Sequence, residues 1–254
     1  MDWQEISTCW VLIPPRPKAI LHFLGGAFVA TAPHLTYRCL LEHLSQAGYL
    51  IVATPFLNTL AHEEIAQDVL TRFEYTLDNL HHRYLSKRYL PIYGIGHSMG
   101  SKLHLLIGSL FAVERAGNIL MSYNNFAARD SIPGVENLSP VFSVEFTPSP
   151  QETQQIIQTR YNVRRNLLVK FSDDTLDQTV PLSRLLEQRF PGMITVQRLT
   201  GTHQTPLGQD INWSVNGTFS PLDALGQWVK QNLYRDLNHL KQEILHWLNP
   251  LSPF

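Results

Sequence analysis

The sequence predicts an α/β protein: a mostly parallel, twisted sheet with helices on both faces. Three observations carry this. Apolar runs of strand length alternate with longer segments of helical spacing across most of the chain. One run, Tyr49 to Ala53, is continuously apolar, as in a strand buried on both faces. And Gly96-His97-Ser98-Met99-Gly100 stands between such a run and a helix-competent segment, where a sharp strand-to-helix turn belongs.

In chain order, Trp10 to Ile13 and Ala19 to Leu24 are apolar runs separated by Pro14-Pro15-Arg16-Pro17, which prolines keep out of helix and ladder. They read as a first hairpin or two neighbouring strands. Gly25-Gly26-Ala27 follows directly, either as an ordinary tight turn or as a loop that turns its N–H groups toward a ligand. Leu40, Leu41 and Leu44 give Leu35 to Ser45 a helical stripe, and Gly48 supplies the stop. After the strand Tyr49 to Ala53, the segment Glu63 to Tyr84 carries Ile65, Val69, Phe73 and Leu77 at steps of four, an amphipathic helix.

Leu90 to Ile95 is the next strand, and Ser101 to Ala112 the helix beyond the glycine-flanked serine. Gly117 to Ser122 follows as a strand. From Asn124 to Asn166 the pattern is broken by prolines and serines, with one modest helical stretch, Pro150 to Tyr161. Residues 124–166 therefore read as a cap or lid inserted into a single domain spanning 1–254. Arg160, Arg164 and Arg165 could meet an anionic head group, although a solvated helix face is the favoured account. Leu167 to Phe171, a helix Pro181 to Phe190, a strand Met193 to Leu199 and a helical region Pro221 to Trp247 complete the alternation. Leu222, Leu225, Trp228 and Val229 mark the apolar face of that last region.

Composition excludes several function classes. The chain has 254 residues, 44% hydrophobic and 16% charged, with a formal net charge of −1. That size and balance suit one large domain and leave no basic footprint for nucleic acid. Cys9 and Cys39 match no metal or redox spacing. The opening MDWQEISTCW does not read as a secretory signal, and no segment approaches the ~20 apolar residues that span a bilayer. The expectation is a cytoplasmic protein with no transmembrane segment; peripheral membrane contact and oligomeric state stay open.

The chemistry centres on Ser98. A serine hydroxyl is a poor nucleophile at neutral pH and needs a histidine to take its proton and a carboxylate to hold that histidine. In a parallel sheet both partners belong on loops at the same carboxyl edge. After Leu167 to Phe171 comes Ser172-Asp173-Asp174-Thr175-Leu176-Asp177-Gln178-Thr179-Val180-Pro181, and after Met193 to Leu199 comes Thr200-Gly201-Thr202-His203. His97 occupies the variable position of the pentapeptide, His81 and His82 sit at a helix end, and His22 and His104 fall within core elements. None of these forms a metal-site spacing.

The order Ser98, aspartate, His203, with G-x-S-x-G, D-x-x-V-P and L-x-G-x-H, resembles the α/β-hydrolase superfamily. More narrowly, the chain resembles the domain of unknown function 1350 family of oxygenic phototrophs. The superfamily resemblance implies the α/β-hydrolase fold and a Ser-His-Asp triad of Ser98, His203 and Asp177, with Asp174 the alternative acid. It implies an oxyanion hole from the N–H groups of Met99 and of Gly26 or Ala27, although F-L-G-G-A-F stands where many relatives carry H-G. The implied activity is a serine esterase, lipase or thioesterase acting on a small-molecule acyl ester or thioester, with no cofactor and no metal. Phe28, Phe56, Phe126 and Phe142 suggest a hydrophobic, acyl or lipid-like substrate, with Phe28 and Phe126 as binding residues. The alternatives are a catalytically silent scaffold that binds a hydrophobic ligand or partner protein, and a carbon–carbon lyase or haloperoxidase on the same triad.

Overall fold

The computed structural model describes residues 2–85, 89–127, 145–207 and 221–249; of the side chains in the last helix, those from Tyr234 onward are described. Eight strands form one sheet: β1 (Gln4–Ile6), β2 (Cys9–Leu12), β3 (Ala19–Leu24), β4 (Tyr49–Ala53), β5 (Ile92–His97), β6 (Gly117–Met121), β7 (Asn166–Phe171) and β8 (Ile194–Leu199). Their order is β1-β2-β4-β3-β5-β6-β7-β8. β1 and β2 pair antiparallel, β2 lies antiparallel to β4, and every pair from β4 through β8 is parallel.

The helices are α1 (Pro33–Thr36), α2 (Arg38–Gln46), α3 (His62–Leu80), α4 (Met99–Leu110), α5 (Pro150–Arg160), α6 (Thr179–Arg189) and α7 (Pro221–Leu248). Alternation along the strands decides which helices meet which face. Leu21 and Phe23 of β3 and Ile51 of β4 pack with Leu40, Leu41 and Leu44 of α2 and with Leu237, Leu240 and Ile244 of α7. The opposite face takes α3 and α4, through Val69, Phe73, Leu103 and Leu106, and then α5 and α6, through Ile157, Leu182 and Leu186. Both faces are covered, which is why the central strands are apolar on both sides.

Two expectations are corrected here. The runs around Trp10 and Ala19 are not neighbours, because β4 lies between β2 and β3. The proline-rich segment 13–18 cannot close a tight hairpin, so it carries the chain past the strand that fills the gap. The single helix from Leu35 is two, broken at Tyr37 (φ −115°, ψ 18°), whose ring is fully buried. An edge strand, β1, had no signal, since its Gln-Glu-Ile is too short and polar to show periodicity.

Much of the stretch read as an insertion belongs to the framework. α5 begins in a capping box between Ser149 and Glu152, and Tyr161 and Val163 are buried against Leu105 and Leu120. It is the crossover helix between β6 and β7. Arg165 lies over the Trp247 ring at 3.9 Å, a packing role rather than an anion site. Residues 128–144, including Phe142, lie outside the described residues, as do the side chains of Leu222, Leu225, Trp228 and Val229.

Candidate active site

β5 lies between β3 and β6, and its carboxyl end delivers Ser98. Ser98 has φ 54° and ψ −117°, a left-handed conformation that costs a side-chain-bearing residue of order 1–3 kcal/mol. The neighbours that permit it are glycines for a measurable reason. A Cβ on Gly100 would stand 2.0 Å from the Leu24 carbonyl oxygen, and one on Gly96 would stand 2.5 Å from the Gly100 backbone. The turn is braced by Ser98 N–H donating to the Met121 carbonyl (2.9 Å) and by Ser101 Oγ donating to the carbonyls of Gly96 (2.9 Å) and Met121 (3.0 Å).

His203 arrives on the loop after β8. Gly201 takes φ 126°, and the Thr202 N–H donates to Thr205 Oγ1 (2.9 Å), so the chain folds back on itself before a short 3₁₀ turn. His203 Nδ1 lies 2.9 Å from Asp174 Oδ2, on the loop after β7. Asp174 Oδ1 accepts from the Leu176 N–H at 3.0 Å. Burial opposes ionisation of Asp174, but its hydrogen bonds, foremost the one from His203, outweigh burial and hold the carboxyl below its ordinary range.

The imidazole is thus held by Asp174, not by Asp177. The side chain of Asp177 is buried facing elsewhere: Oδ1 takes Lys170 Nζ (3.1 Å) and the Thr179 N–H (2.9 Å), and Oδ2 takes the Thr179 hydroxyl (2.8 Å). It satisfies the N–H and the hydroxyl of Thr179, the first residue of α6, so Asp177-Gln178-Thr179-Val180-Pro181 is a helix-start signal.

Ser98 Oγ accepts a hydrogen bond from Asn124 Nδ2 at 3.0 Å. Among the described residues that is its one hydrogen bond, and none joins it to His203. Both residues line one cavity of about 310 Å³, with Gly26, Ala27, Phe28 and Met99. Phe126 also lines it, whereas Phe56 is buried in the core beside Leu24 and Met99.

A chain of hydrogen bonds that sequence reasoning missed ties three loops together. His97 Nε2 lies 2.9 Å from the His203 carbonyl oxygen, which can only accept, so Nε2 carries the proton. Burial, aided by the nearby His203, lowers the His97 pKa to about 3, so the ring is neutral and Nδ1 is bare. Tyr37 therefore donates to His97 Nδ1 (2.7 Å) and accepts from the Gly26 N–H (2.7 Å). Gly26 N–H is thereby engaged. Ala27 N–H forms no such bond among the described residues, and Met99, first in α4, has no earlier turn to bond to. The one sequence trace of this chain was His97 itself, inside the pentapeptide; nothing flagged Tyr37 or Asn124.

Among the described residues no group of three or more His, Cys, Asp or Glu could hold a metal ion, and no helix is long and apolar enough to cross a membrane. Cys9 and Cys39 are not joined in a disulfide.

This strand–elbow–helix arrangement and sheet order define an α/β-hydrolase fold. Solved structures agree: carboxyl esterase 2 from the fungus Tuber melanosporum superposes with a TM-score of 0.57 at 15% identity, covering 91% of this chain and 87% of that one. The Pyrococcus furiosus esterase PF2001 gives 0.55 at 16% identity, covering 93% and 91%. The fluorophosphonate-binding serine hydrolase F of Staphylococcus aureus gives 0.54 at 13%, covering 93% and 96%. The chain belongs to the family described as "Protein of unknown function (DUF1350)", whose model matches residues 2–250. No curated protein matches it.

Proposed function

We propose that the protein is a serine hydrolase that cleaves carboxylic esters or thioesters through Ser98, His203 and Asp174. The observation that carries this reading is the conjunction of a strained, cavity-facing Ser98 with an imidazole whose Nδ1 is fixed by a buried carboxylate 2.9 Å away. That bond leaves Nε2 as the free nitrogen, the tautomer a general base requires. The fold neighbours, esterases and serine hydrolases, support the same reading.

In the reaction, the substrate carbonyl displaces the Asn124 contact and Ser98 turns toward Nε2. Ser98 Oγ bonds to the carbonyl carbon as its proton passes to His203 Nε2. The oxyanion is met by the N–H groups of Met99 and Ala27 at the positive end of α4. Gly26 acts one step removed: its bond to Tyr37 fixes the loop that presents Ala27. The C–O or C–S bond then breaks, His203 protonates the departing oxygen or sulfur, and the acyl group stays on Ser98. Water attacks the acyl-enzyme, gives its proton to His203 and releases the acid, and the proton returns to Ser98.

The second reading, a scaffold that binds ligand without turnover, is favoured by one observation: Asn124, not His203, holds the Ser98 hydroxyl. Catalytic bonds often close only when substrate is bound, so the contact does not decide the matter. Turnover of 4-nitrophenyl acyl esters decides it. The wild type should show a burst and steady turnover, and Ser98→Ala or His203→Ala should each lose roughly 10⁴-fold or more. A folded wild type with no turnover of any acyl ester or thioester would establish the scaffold.

A further inference from the structure

Beyond the proton-transfer machinery, the cavity over Ser98 holds a buried cation that no carboxylate touches among the described residues. Lys102 lies four residues past the nucleophile on α4, lines the cavity and is 3% exposed. It makes no hydrogen bond or ion pair among the described residues; its neighbour is the Phe146 ring, 5.4 Å from Nζ to the centroid. A lysine in so dry a place is costly unless something pairs with it.

A second, independent observation lies beside it. His62, at the start of α3, lines the same cavity, is 3% exposed, and has both ring nitrogens without a hydrogen-bond partner among the described residues. Its ring stacks on the other aromatic of the cluster, Phe146, with centroids 4.2 Å apart. Phe146 is held there because its segment is pinned to α3: Thr147 N–H donates to the Leu60 carbonyl (2.8 Å), and Glu63 N–H donates to the Thr147 carbonyl (3.2 Å). Orphaned buried polar groups are rare and mark a missing partner.

Resting on the hydrolase reading for its catalytic consequence, we propose that Lys102, His62 and Phe146 form an anion subsite, and that the substrates are acyl esters or thioesters bearing a carboxylate remote from the scissile bond. One buried cation matches a monoanion rather than a phosphate dianion. The imidazole adds one N–H for a second oxygen, and the aromatic wall and the Phe126 side of the cavity take the hydrocarbon between carboxylate and carbonyl. Burial lowers the Lys102 pKa to about 8 and the His62 pKa to about 3, so near neutrality the first is charged and the second neutral. The acidic group that acts on Lys102 is Glu145, which is exposed and whose Oε1 accepts from the Phe146 N–H at 2.8 Å.

The test compares mono-4-nitrophenyl glutarate with its uncharged match, 4-nitrophenyl pentanoate. In the wild type, kcat/KM should favour the glutarate, by roughly 10–100-fold for a charge-assisted contact. In Lys102→Met the ratio should collapse toward one, and His62→Phe should reduce it by a smaller factor. A separate arm titrates monomethyl glutarate into Ser98→Ala calorimetrically, against Ser98→Ala/Lys102→Met; binding should be present in the first and lost in the second. Hydrolysis of both esters with no preference for the glutarate would overturn the subsite, and that comparison needs no variant to fold. Absence of turnover with Lys102-dependent binding intact would overturn the hydrolase reading and leave the subsite standing.

Discussion

At the scale of single residues, two aspartates three positions apart divide the work. Asp174 faces the imidazole, and Asp177 faces Lys170 and the first turn of α6. Asp174→Asn should leave the protein folded and lower kcat by roughly 10⁴-fold, because the imidazole is then free to take the wrong tautomer. Asp177→Ala should do the reverse: kcat within a few-fold of wild type, with stability reduced by about 1–2 kcal/mol for the lost helix-start contacts, read from urea unfolding. If Asp177→Ala were the inactive variant, the geometric assignment would fail. Tyr37→Phe removes both bonds of the chain that links Gly26 to His97. It should cost of order 1–3 kcal/mol in stability and lower kcat more than it raises KM, since loop placement rather than substrate contact is lost.

At the scale of elements, the elbow is where packing and chemistry coincide. Gly100→Ala would drive a methyl into the Leu24 carbonyl, so either β3 or α4 must move. Soluble yield and melting temperature should fall sharply, whereas Ser98→Ala, at the same turn, should retain or gain stability because the reactive group is not a packing group. The elbow, β5 and α4 were legible because glycine spacing, an apolar run and a helix-competent run all agree within a score of residues. His203 was legible for the same reason, as a histidine directly beyond a strand. The acid was not, because a loop with three aspartates fixes neither which one turns inward nor which caps the next helix. Nor were Lys102 and His62 singled out, although a lone lysine in Met99-Gly100-Ser101-Lys102-Leu103-His104-Leu105-Leu106 sits one turn from the nucleophile, on its side of α4.

At the scale of the whole molecule, the strands and helices were readable and the sheet order only partly so. Six parallel strands follow from alternation and crossover handedness. The antiparallel edge does not, because a proline linker of that length permits more than one landing place. The interior carries a further consequence in its histidines. His22, His62, His97 and His104 are all buried, and burial, first among the causes, lowers each: to about 3 for His62, His97 and His104, and well below the ordinary value for His22. In the unfolded chain these groups take protons near pH 6.5. Between that value and about 3 the unfolded state therefore binds more protons than the native one, so stability falls as pH falls. Urea unfolding from pH 7 to pH 5, above most of the carboxylate range, should show stability declining with a slope that steepens toward several protons taken up. A flat profile over that interval would mean these rings are not held neutral.

The central claim is that Ser98 is a nucleophile activated by His203, and covalent capture tests it most directly. Wild-type protein treated with a fluorophosphonate should gain the mass of one phosphonyl group, located on the peptide containing Ser98. Ser98→Ala should gain none, and His203→Ala should label at least 10²-fold more slowly, a conservative bound for loss of the general base. A folded wild type that takes up no phosphonyl group, or takes it up at another residue, would contradict the claim.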